Sequence, residues 1–451
     1  MSCRELTIEP VTRIEGHSRV TILVDKKKVK GARFNIVESP RFFEKLLEGK
    51  FAEEAPRITQ RICGVCPVAH HLASVKAIEA AWDCQPPESA VKLRRLMLIG
   101  QIISSHSLHL GFLALPDLLE VDERSILGVA RKDPKLASCI FKLNRFGLQI
   151  TEAVGGRAVH PVSAIPGGMS KPIEGERRDQ LLASGKECVE MAYELAVLVD
   201  NKVGKKEELI ECLNLSRTRY AGVTTDGRYE LYDGKVTVLE PSGEKIEFEA
   251  KDYSDHIAEK TVPHSYAKHP YLHRFGYPAG IYRVGPLSRL NVAAELRGGK
   301  VAERFRSFVK KFGRPAHNTL AYNFGRAIEL AYTVEQALNM LEDSAIEGND
   351  VFSTPHPKAG RGVGIVEAPR GLLVHDYQID AEGLITRANI ISPTTQNAPS
   401  IESETLLLAS NLFPHAAANL KHMLSTIEIM IRAYDPCLTC STHFVELRKS
   451  A

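Results

Sequence analysis

Nine cysteines punctuate this chain, and four fall into two Cys-x-x-Cys pairs, Cys63-Gly64-Val65-Cys66 and Cys437-Leu438-Thr439-Cys440. A two-residue spacer lets both sulfurs of a pair converge from one tight turn onto one soft cation. The first pair runs straight into Pro67, a residue suited to a first helical turn. Thiolates near a helix N-terminus are stabilised by the positive end of its dipole. The second pair follows a long periodic apolar stretch that Asp435-Pro436 ends. Zinc ribbons usually carry their two pairs about 15–20 residues apart. Here the pairs lie near opposite ends of the chain, so a metal shared between them would clasp the centre of the body. Spacing leaves three readings open: one four-thiolate metal site, a structural zinc, or unrelated cysteines. Thiolate softness admits zinc, iron or nickel and does not choose among them. Two thioredoxin-like pairs are disfavoured, because neither sits in a βαβ pattern.

The other cysteines, Cys3, Cys84, Cys139, Cys188 and Cys212, stand singly and read as structural thiols. They lack the clustered spacing of an iron–sulfur site, so no such cluster is expected in this chain. The glycine-rich stretch 155–168 (GGRAVHPVSAIPGG) is neither a P-loop nor a dinucleotide fingerprint.

Helices must do most of the positioning. Apolar residues recur at three- and four-residue steps over 67–82, 88–115, 136–153, 176–203, 288–312, 316–343 and 401–434, several of them apolar nearly all round, as buried helices are. Strict alternation over 17–37 reads as a β-hairpin. Two more β patches cover 228–250, with turns at Asp233-Gly234 and Ser242-Gly243, and 363–391, with a turn at Glu382-Gly383. A second Gly/Pro-rich loop covers 276–286. No linker composition interrupts the chain. The expected architecture is one mainly α body over 1–451 with small peripheral sheets. Its regions are an N-terminal hairpin (1–40), a helical core with the first pair (41–225), a β/loop appendage (226–290) and a helical/β region with the second pair (291–451).

A chain of 451 residues with 44% hydrophobic and 25% charged residues has the balance of a soluble globular protein. A net charge of +3 is too small to argue for nucleic acid or an anionic membrane. The N-terminus lacks an apolar signal core, which points to a cytoplasmic location. The most apolar stretch, Leu96 to Leu119, contains Gln101, His106 and His109 and reads as a buried helix rather than a membrane span.

Three separated motifs supply what spacing leaves open. Arg13-Ile14-Glu15-Gly16-His17, then Arg61-x-Cys63-Gly64-x-Cys66 with His70, then Asp435-Pro436-Cys437-x-x-Cys440-x-x-His443 resemble the signatures of nickel–iron hydrogenase large subunits, in the right order across essentially the whole chain. The resemblance is closest to the cytoplasmic, anaerobic multi-subunit class that feeds heterodisulfide reductase, the deazaflavin-non-reducing enzymes of methanogenesis. Nicotinamide-linked enzymes are the alternative. A non-catalytic respiratory complex I relative is disfavoured, since it has lost the cysteines kept here.

The resemblance implies reversible, heterolytic cleavage of dihydrogen. Cys63 and Cys437 would be terminal nickel ligands, and Cys66 and Cys440 would bridge to an iron carrying cyanide and carbon monoxide. Glu15 would relay protons from Cys437. Arg370, in Glu367-Ala368-Pro369-Arg370-Gly371, would stand over the metals and donate to cyanide, with Pro369 and Thr394 shaping that pocket and Asp435 beside it. His70, one helical turn past Cys66, would hydrogen-bond a bridging sulfur. Glu44, the Ile390 carbonyl and His443 would hold a separate magnesium or iron. Arg157 and His160 would face the cluster of an iron–sulfur small subunit, and further flavin and iron–sulfur subunits would carry electrons on. A maturation endopeptidase would cut after His443. Where Ser105 stands, many uptake-type relatives carry an aspartate paired to the arginine matching Arg370, a pairing that serine cannot supply.

Overall fold

Val20, Ile22 and Val24 lie at alternate positions of one strand and oppose Phe34, Ala32 and Val29 across an antiparallel pair, Ser18–Asp25 with Lys28–Ile36. This is the expected hairpin, and the strand Arg4–Ile8 adds a third member to it. The computed structural model describes residues 4–26, 28–296 and 299–442.

Long helices form the main body. Pro67–Trp82 begins on its proline and lies across two strands, Gly360–Ala368 and Gly371–Ile379. Glu88–Leu108 packs on Pro134–Gly155, which starts at an Asp133 cap and stops at left-handed Gly156. Gly175–Gly204 packs on Ala321–Glu342. The Glu88 helix does not stay α-helical to its end: His109–Ala114 is a π-helical turn, followed by Leu115–Leu118. Glu88–Leu118 is the one span among the described residues long and apolar enough to cross a membrane, and most of it is buried inside the body.

Two expected helices are broken. The 288–312 helix is Pro286–Val292 and Gly299–Phe312 instead. Between them the Ala294 N–H bonds the Gly227 carbonyl at 2.7 Å, and Arg314 takes the Ala293 and Ala294 carbonyls, so the helical ladder is drained at both ends. The 401–434 helix begins earlier, at Pro393, and is interrupted near Pro414. Ser392 caps its start through the Thr395 N–H, and Pro393 sits where its missing N–H costs nothing.

The sheets are richer than alternation indicated. Arg219–Thr225 is the unforeseen centre of the second patch, pairing antiparallel with Lys235–Leu239 and parallel with Tyr282–Arg283. The third patch has three strands: Gly360–Ala368, Gly371–Ile379 and Ile385–Ile391. Its first turn is only Pro369-Arg370. Gly371, at φ 131°, closes that turn so tightly that a β-carbon there would lie 2.6 Å from the Gly285 nitrogen. The turn projects Arg370 from the sheet edge toward the cysteines.

Candidate metal centre

The two Cys-x-x-Cys turns meet although 374 residues separate each facing pair. Cys63 and Cys437 sulfurs lie 3.4 Å apart, Cys66 and Cys440 3.5 Å, and Cys437 and Cys440 3.0 Å. All four are buried, and their sulfurs fall within 4.8 Å of one another. Local structure explains each turn. Cys66 stands at the entry to the Pro67 helix, and its N–H and that of Val65 point at Cys63 Sγ, at 3.3 and 3.2 Å. The second turn follows Tyr434 through Asp435, whose φ of 58° is left-handed. Thr394, in the first turn of the Pro393 helix, accepts the Cys437 N–H at 2.9 Å. Two helix N-termini therefore converge on the four sulfurs, and both favour thiolates.

Arg41 ties the two turns together. It donates to the Ile62 carbonyl on one side and to the Thr439 carbonyl, at 2.7 Å, on the other. Hydrogen bonds from its neighbours push Cys63 well down, while Cys66 and Cys440 are pushed up. Burial works against a charged Cys437, but the sulfurs around it bring it down to about 7.

Glu15 reaches this cluster by a main-chain route. Its carbonyl accepts the Leu438 N–H, and the two segments run side by side as an isolated parallel bridge. Gly16 makes the approach possible: at φ 83°, a β-carbon there would sit 2.9 Å from the Leu438 β-carbon. The carboxylate accepts from Cys437 Sγ at 3.1 Å, the Thr439 N–H at 3.2 Å and the Thr439 hydroxyl at 2.8 Å. Burial and the Cys437 thiolate raise its pKa to about 7. Arg13 anchors the segment, bonding the Leu113 carbonyl at 2.9 Å and pairing with Asp117 at 2.5 Å, while Arg432 holds the other Asp117 oxygen at 2.9 Å.

Arg370 is buried and donates through Nε to the Asp435 carbonyl at 2.8 Å and through Nη2 to its carboxylate at 3.1 Å. Its Nη1 has no partner among the described residues. Burial opposes its charge, but Asp435 and the thiolates outweigh that and keep it protonated. Beneath the turn, Arg289 donates to the Ala368 and Pro369 carbonyls and pairs with Glu329 and Glu367, and His106 bonds Glu329 at 3.0 Å. Arg41 and Arg289 were not foreseen, because a lone arginine in sequence reads as a solvated charge.

His70 is buried and its Nδ1 bonds His375 Nε2 at 3.1 Å; His375 in turn bonds the Tyr377 hydroxyl, which donates to Ser74. Burial lowers His70 to about 4, so this chain is neutral at neutral pH. None of its described hydrogen bonds goes to sulfur. Glu44 accepts the Ile390 N–H at 2.8 Å, which brings the two expected ligand positions side by side. Both residues line a small cavity with Thr439, Cys440 and Thr442. His443, the tail 444–451 and Cys3 lie outside the described residues. Arg157 is exposed and His160 half-buried, on a loop close enough to Arg61 for that cation to help lower the His160 pKa, after burial.

Four buried thiols gathered by two helix N-termini, with a carboxylate on one sulfur and a guanidinium holding a spare N–H, define the class: a protein built around one buried thiolate site for a soft transition metal. Residues 41–143 and 186–443 match the nickel-dependent hydrogenase family, and residues 5–39 match a HoxL-like family, so the chain belongs to the nickel-dependent hydrogenases. It is 44% identical over 416 residues to one component of the F420-non-reducing hydrogenase vhu of Methanocaldococcus jannaschii, covering 91% of this chain and 99% of that one. The beta component of the NAD-reducing hydrogenase HoxS of Cupriavidus necator is 34% identical, over 98% of this chain and 95% of that one. A crystal structure of an NAD+-reducing [NiFe]-hydrogenase in the H2-reduced state superposes with a TM-score of 0.93 at 35% identity, covering 98% and 99% of the two chains. The chain is the catalytic subunit of a hydrogenase, cleaving dihydrogen at a nickel–iron centre.

Proposed function

We propose that Cys63 and Cys437 are terminal ligands of nickel, and that Cys66 and Cys440 bridge it to an iron bearing cyanide and carbon monoxide. A nickel–iron pair bound there supplies the redox centre at which dihydrogen is split reversibly and heterolytically. The residues fit such a group on the protein's own terms. Four soft donors close around one point, and the buried, unpartnered Nη1 of Arg370 offers a hydrogen bond to an anionic ligand such as cyanide. That combination is the observation that carries the reading.

Cys437 Sγ and Glu15 Oε2 share a proton at 3.1 Å, and Glu15 passes it outward. Glu15 is half-buried and its neighbours Gly16 and His17 are exposed, so the way from the sulfur to solvent is short. Thr439 holds the carboxylate in place, and Pro369, Thr394 and Asp435 hold the arginine and the second cysteine turn. His70 supports the Cys66 side as a neutral imidazole. Glu44, Ile390 and His443 take a magnesium or iron ion beside the centre. An iron–sulfur small subunit docks over Arg61, Arg157 and His160, where Gly64 is exposed beside the first pair. The complex is cytoplasmic and passes electrons through flavin and iron–sulfur subunits toward heterodisulfide reductase; a nicotinamide-linked acceptor is the second reading, favoured by the HoxS relative. An endopeptidase removes residues 444–451 once the metals are in place.

The test is metal content and hydrogen oxidation of the purified complex. Cys63→Ser, Cys66→Ser, Cys437→Ser and Cys440→Ser should each lose nickel and activity together. One variant with full nickel and full activity would break the four-thiolate assignment. The subunits that co-purify decide the acceptor.

A further inference from the structure

Away from the catalytic cysteines, three residues from distant parts of the chain form a second ligand-like cluster. His269 opens the strand His269–Leu272, which pairs antiparallel with Ile257–Lys260. His264 lies in the loop joining them. Glu402 comes from the Pro393–Leu412 helix. His264 Nε2 lies 2.7 Å from Glu402 Oε2, and the two imidazole rings stand at 75° with centroids 5.8 Å apart. One nitrogen or oxygen from each of the three falls within 4.8 Å of the others.

An ordinary ion pair does not account for this arrangement. His264 and Glu402 satisfy each other, and Glu402 Oε2 also accepts the Phe34 N–H at 3.0 Å. His269 is left over: it is fully buried, its Nδ1 bonds the Tyr277 hydroxyl at 3.2 Å, and its Nε2 has no partner among the described residues. Burying a ring nitrogen unsatisfied is costly, and the cost vanishes if that nitrogen ligates an ion. With Nδ1–H donating to the Tyr277 oxygen, Nε2 presents its lone pair to the cluster, the usual way a neighbour fixes the tautomer of a ligating histidine. The side chains of His264 and Glu402 keep 16% and 19% of their surface exposed, so the open side of the triad faces solvent. An ion can enter there and keep a water as its fourth ligand.

We propose that His264, His269 and Glu402 form a second metal site, which takes a divalent transition ion of borderline softness such as zinc. Two imidazoles and a carboxylate with one open position are a donor set that zinc accepts, at about 2.0–2.2 Å per bond. Around a tetrahedral ion with such bonds neighbouring donor atoms stand about 3.3 Å apart, so His264 and Glu402, now at 2.7 Å, would part slightly to admit it, as the loop position of His264 allows. The ion would be a clip. The loop around His264 already lies along the Lys28–Ile36 strand, with Ser265 Oγ accepting the Ile36 N–H at 3.2 Å and the Tyr266 N–H bonding the Ile36 carbonyl at 3.1 Å. Glu402 belongs to the helix whose first turn holds Thr394 against Cys437, about 12 Å away at 1.5 Å per residue. The clip thus fastens hairpin, sheet and helix behind the catalytic turn without touching it.

The experiment uses the nickel-loaded complex, in which the four-thiolate site is already filled. It is stripped of loosely held ions with a chelator, given equimolar Zn2+, desalted, and its zinc counted by mass spectrometry. Wild type should keep one zinc per catalytic chain more than the His264→Gln and His269→Gln complexes, and its melting midpoint should rise by several degrees on zinc addition while theirs do not. His264→Gln is at a partly exposed loop position, so it should fold and oxidise hydrogen as wild type does. X-ray absorption at the zinc edge should show imidazole scattering from two histidines. Equal zinc in wild type and both variants, or none retained by wild type at tens of micromolar, overturns the proposal. Neither outcome touches the four-thiolate assignment, which is read from nickel.

Discussion

Replacing Glu15 by glutamine separates proton transfer from architecture, because the structure offers glutamine a way to keep every bond. With its carbonyl on the Oε2 side, the new side chain still accepts from Cys437 Sγ and from the Thr439 N–H. Its amide then sits where Oε1 was, and the Thr439 hydroxyl, now a donor at 2.8 Å, rotates to accept instead. No hydrogen bond need be lost, so the stability change should stay within about 1 kcal/mol, and nickel content should match wild type. Proton carriage is another matter. An amide does not take up the proton that a carboxylate accepts, and a positioned acid–base group is worth roughly 10²- to 10⁴-fold in rate, or about 3–5 kcal/mol on the barrier. The assay is dye-coupled hydrogen oxidation together with exchange of deuterium gas against solvent protons, run on complexes of equal nickel content. Both rates should fall by at least a hundredfold. Exchange within threefold of wild type in a fully loaded variant would refute the reasoning and send the proton out by another path. Thr439→Val, which removes only the hydroxyl, should cost far less than Glu15→Gln.

Gly16→Ala should be worse for assembly than its size suggests: left-handed backbone costs an alanine about 1–2 kcal/mol, and the new β-carbon would sit 2.9 Å from Leu438. The expected readout is lower nickel loading and a lower melting midpoint; unchanged values would show that the two segments can part. Arg289→Met strands two fully buried carboxylates, Glu329 and Glu367, and should destabilise by about 3–5 kcal/mol in denaturant unfolding. The same network predicts an acid limb. Burial alone would raise Glu329, but Arg289 and His106 outweigh it and hold it at about 2, against 4.5 when exposed. That contribution, about 3 kcal/mol, is complete above pH 4.5 and is lost as pH falls toward 2. Wild-type stability should drop across that window, and Arg289→Met should show a shallower drop. Arg41→Met, which cuts the tie between the Ile62 and Thr439 carbonyls, should lower nickel retention under chelator challenge while leaving helix content by circular dichroism intact.

Local features of the centre were legible in the sequence because they are local. Pro67 after Cys66 announces a helix start, and Asp435-Pro436 announces a helix end. The meeting of the two turns was not legible from spacing, since nothing between Cys63 and Cys437 encodes their contact; the resemblance of three ordered motifs supplied it. The Pro369-Arg370 turn was missed for a different reason. The patch read over 363–391 showed only the Glu382-Gly383 turn, and Pro369-Arg370 lacks the Asn-Gly or Asp-Gly pair that usually marks a tight hairpin. The π-turn at His109–Ala114 left no signal either, because its residues keep the apolar periodicity of the helix before it. Pro399 hid the true start of its helix, although Ser392 and Pro393 were cap and first-turn residues all along. The triad of His264, His269 and Glu402 was invisible because its third member lies on another element, 138 residues from the first.

With a serine at position 105, another group must balance the buried charge of Arg370, and the geometry shows which. Ser105 is buried, and its hydroxyl finds no partner among the described residues, so it does not stand in for a carboxylate. The carboxylate beside Arg370 is Asp435, bonded at 3.1 Å, and the Asp435 carbonyl takes the arginine's Nε as well. Asp435 is also the left-handed residue that turns the chain from the last helix into Pro436 and Cys437. One residue thus sets the direction of the turn carrying two thiols and the position of the cation facing them. Arg370 itself is fixed from behind, through the Pro369 and Ala368 carbonyls held by Arg289. A guanidinium clamped at Nε and Nη2 can aim only its remaining nitrogen, and Nη1 is the one left without a partner among the described residues. The charge of the site and the direction of its free donor are therefore set by backbone geometry at Asp435 and Pro369, and they do not depend on what stands at position 105.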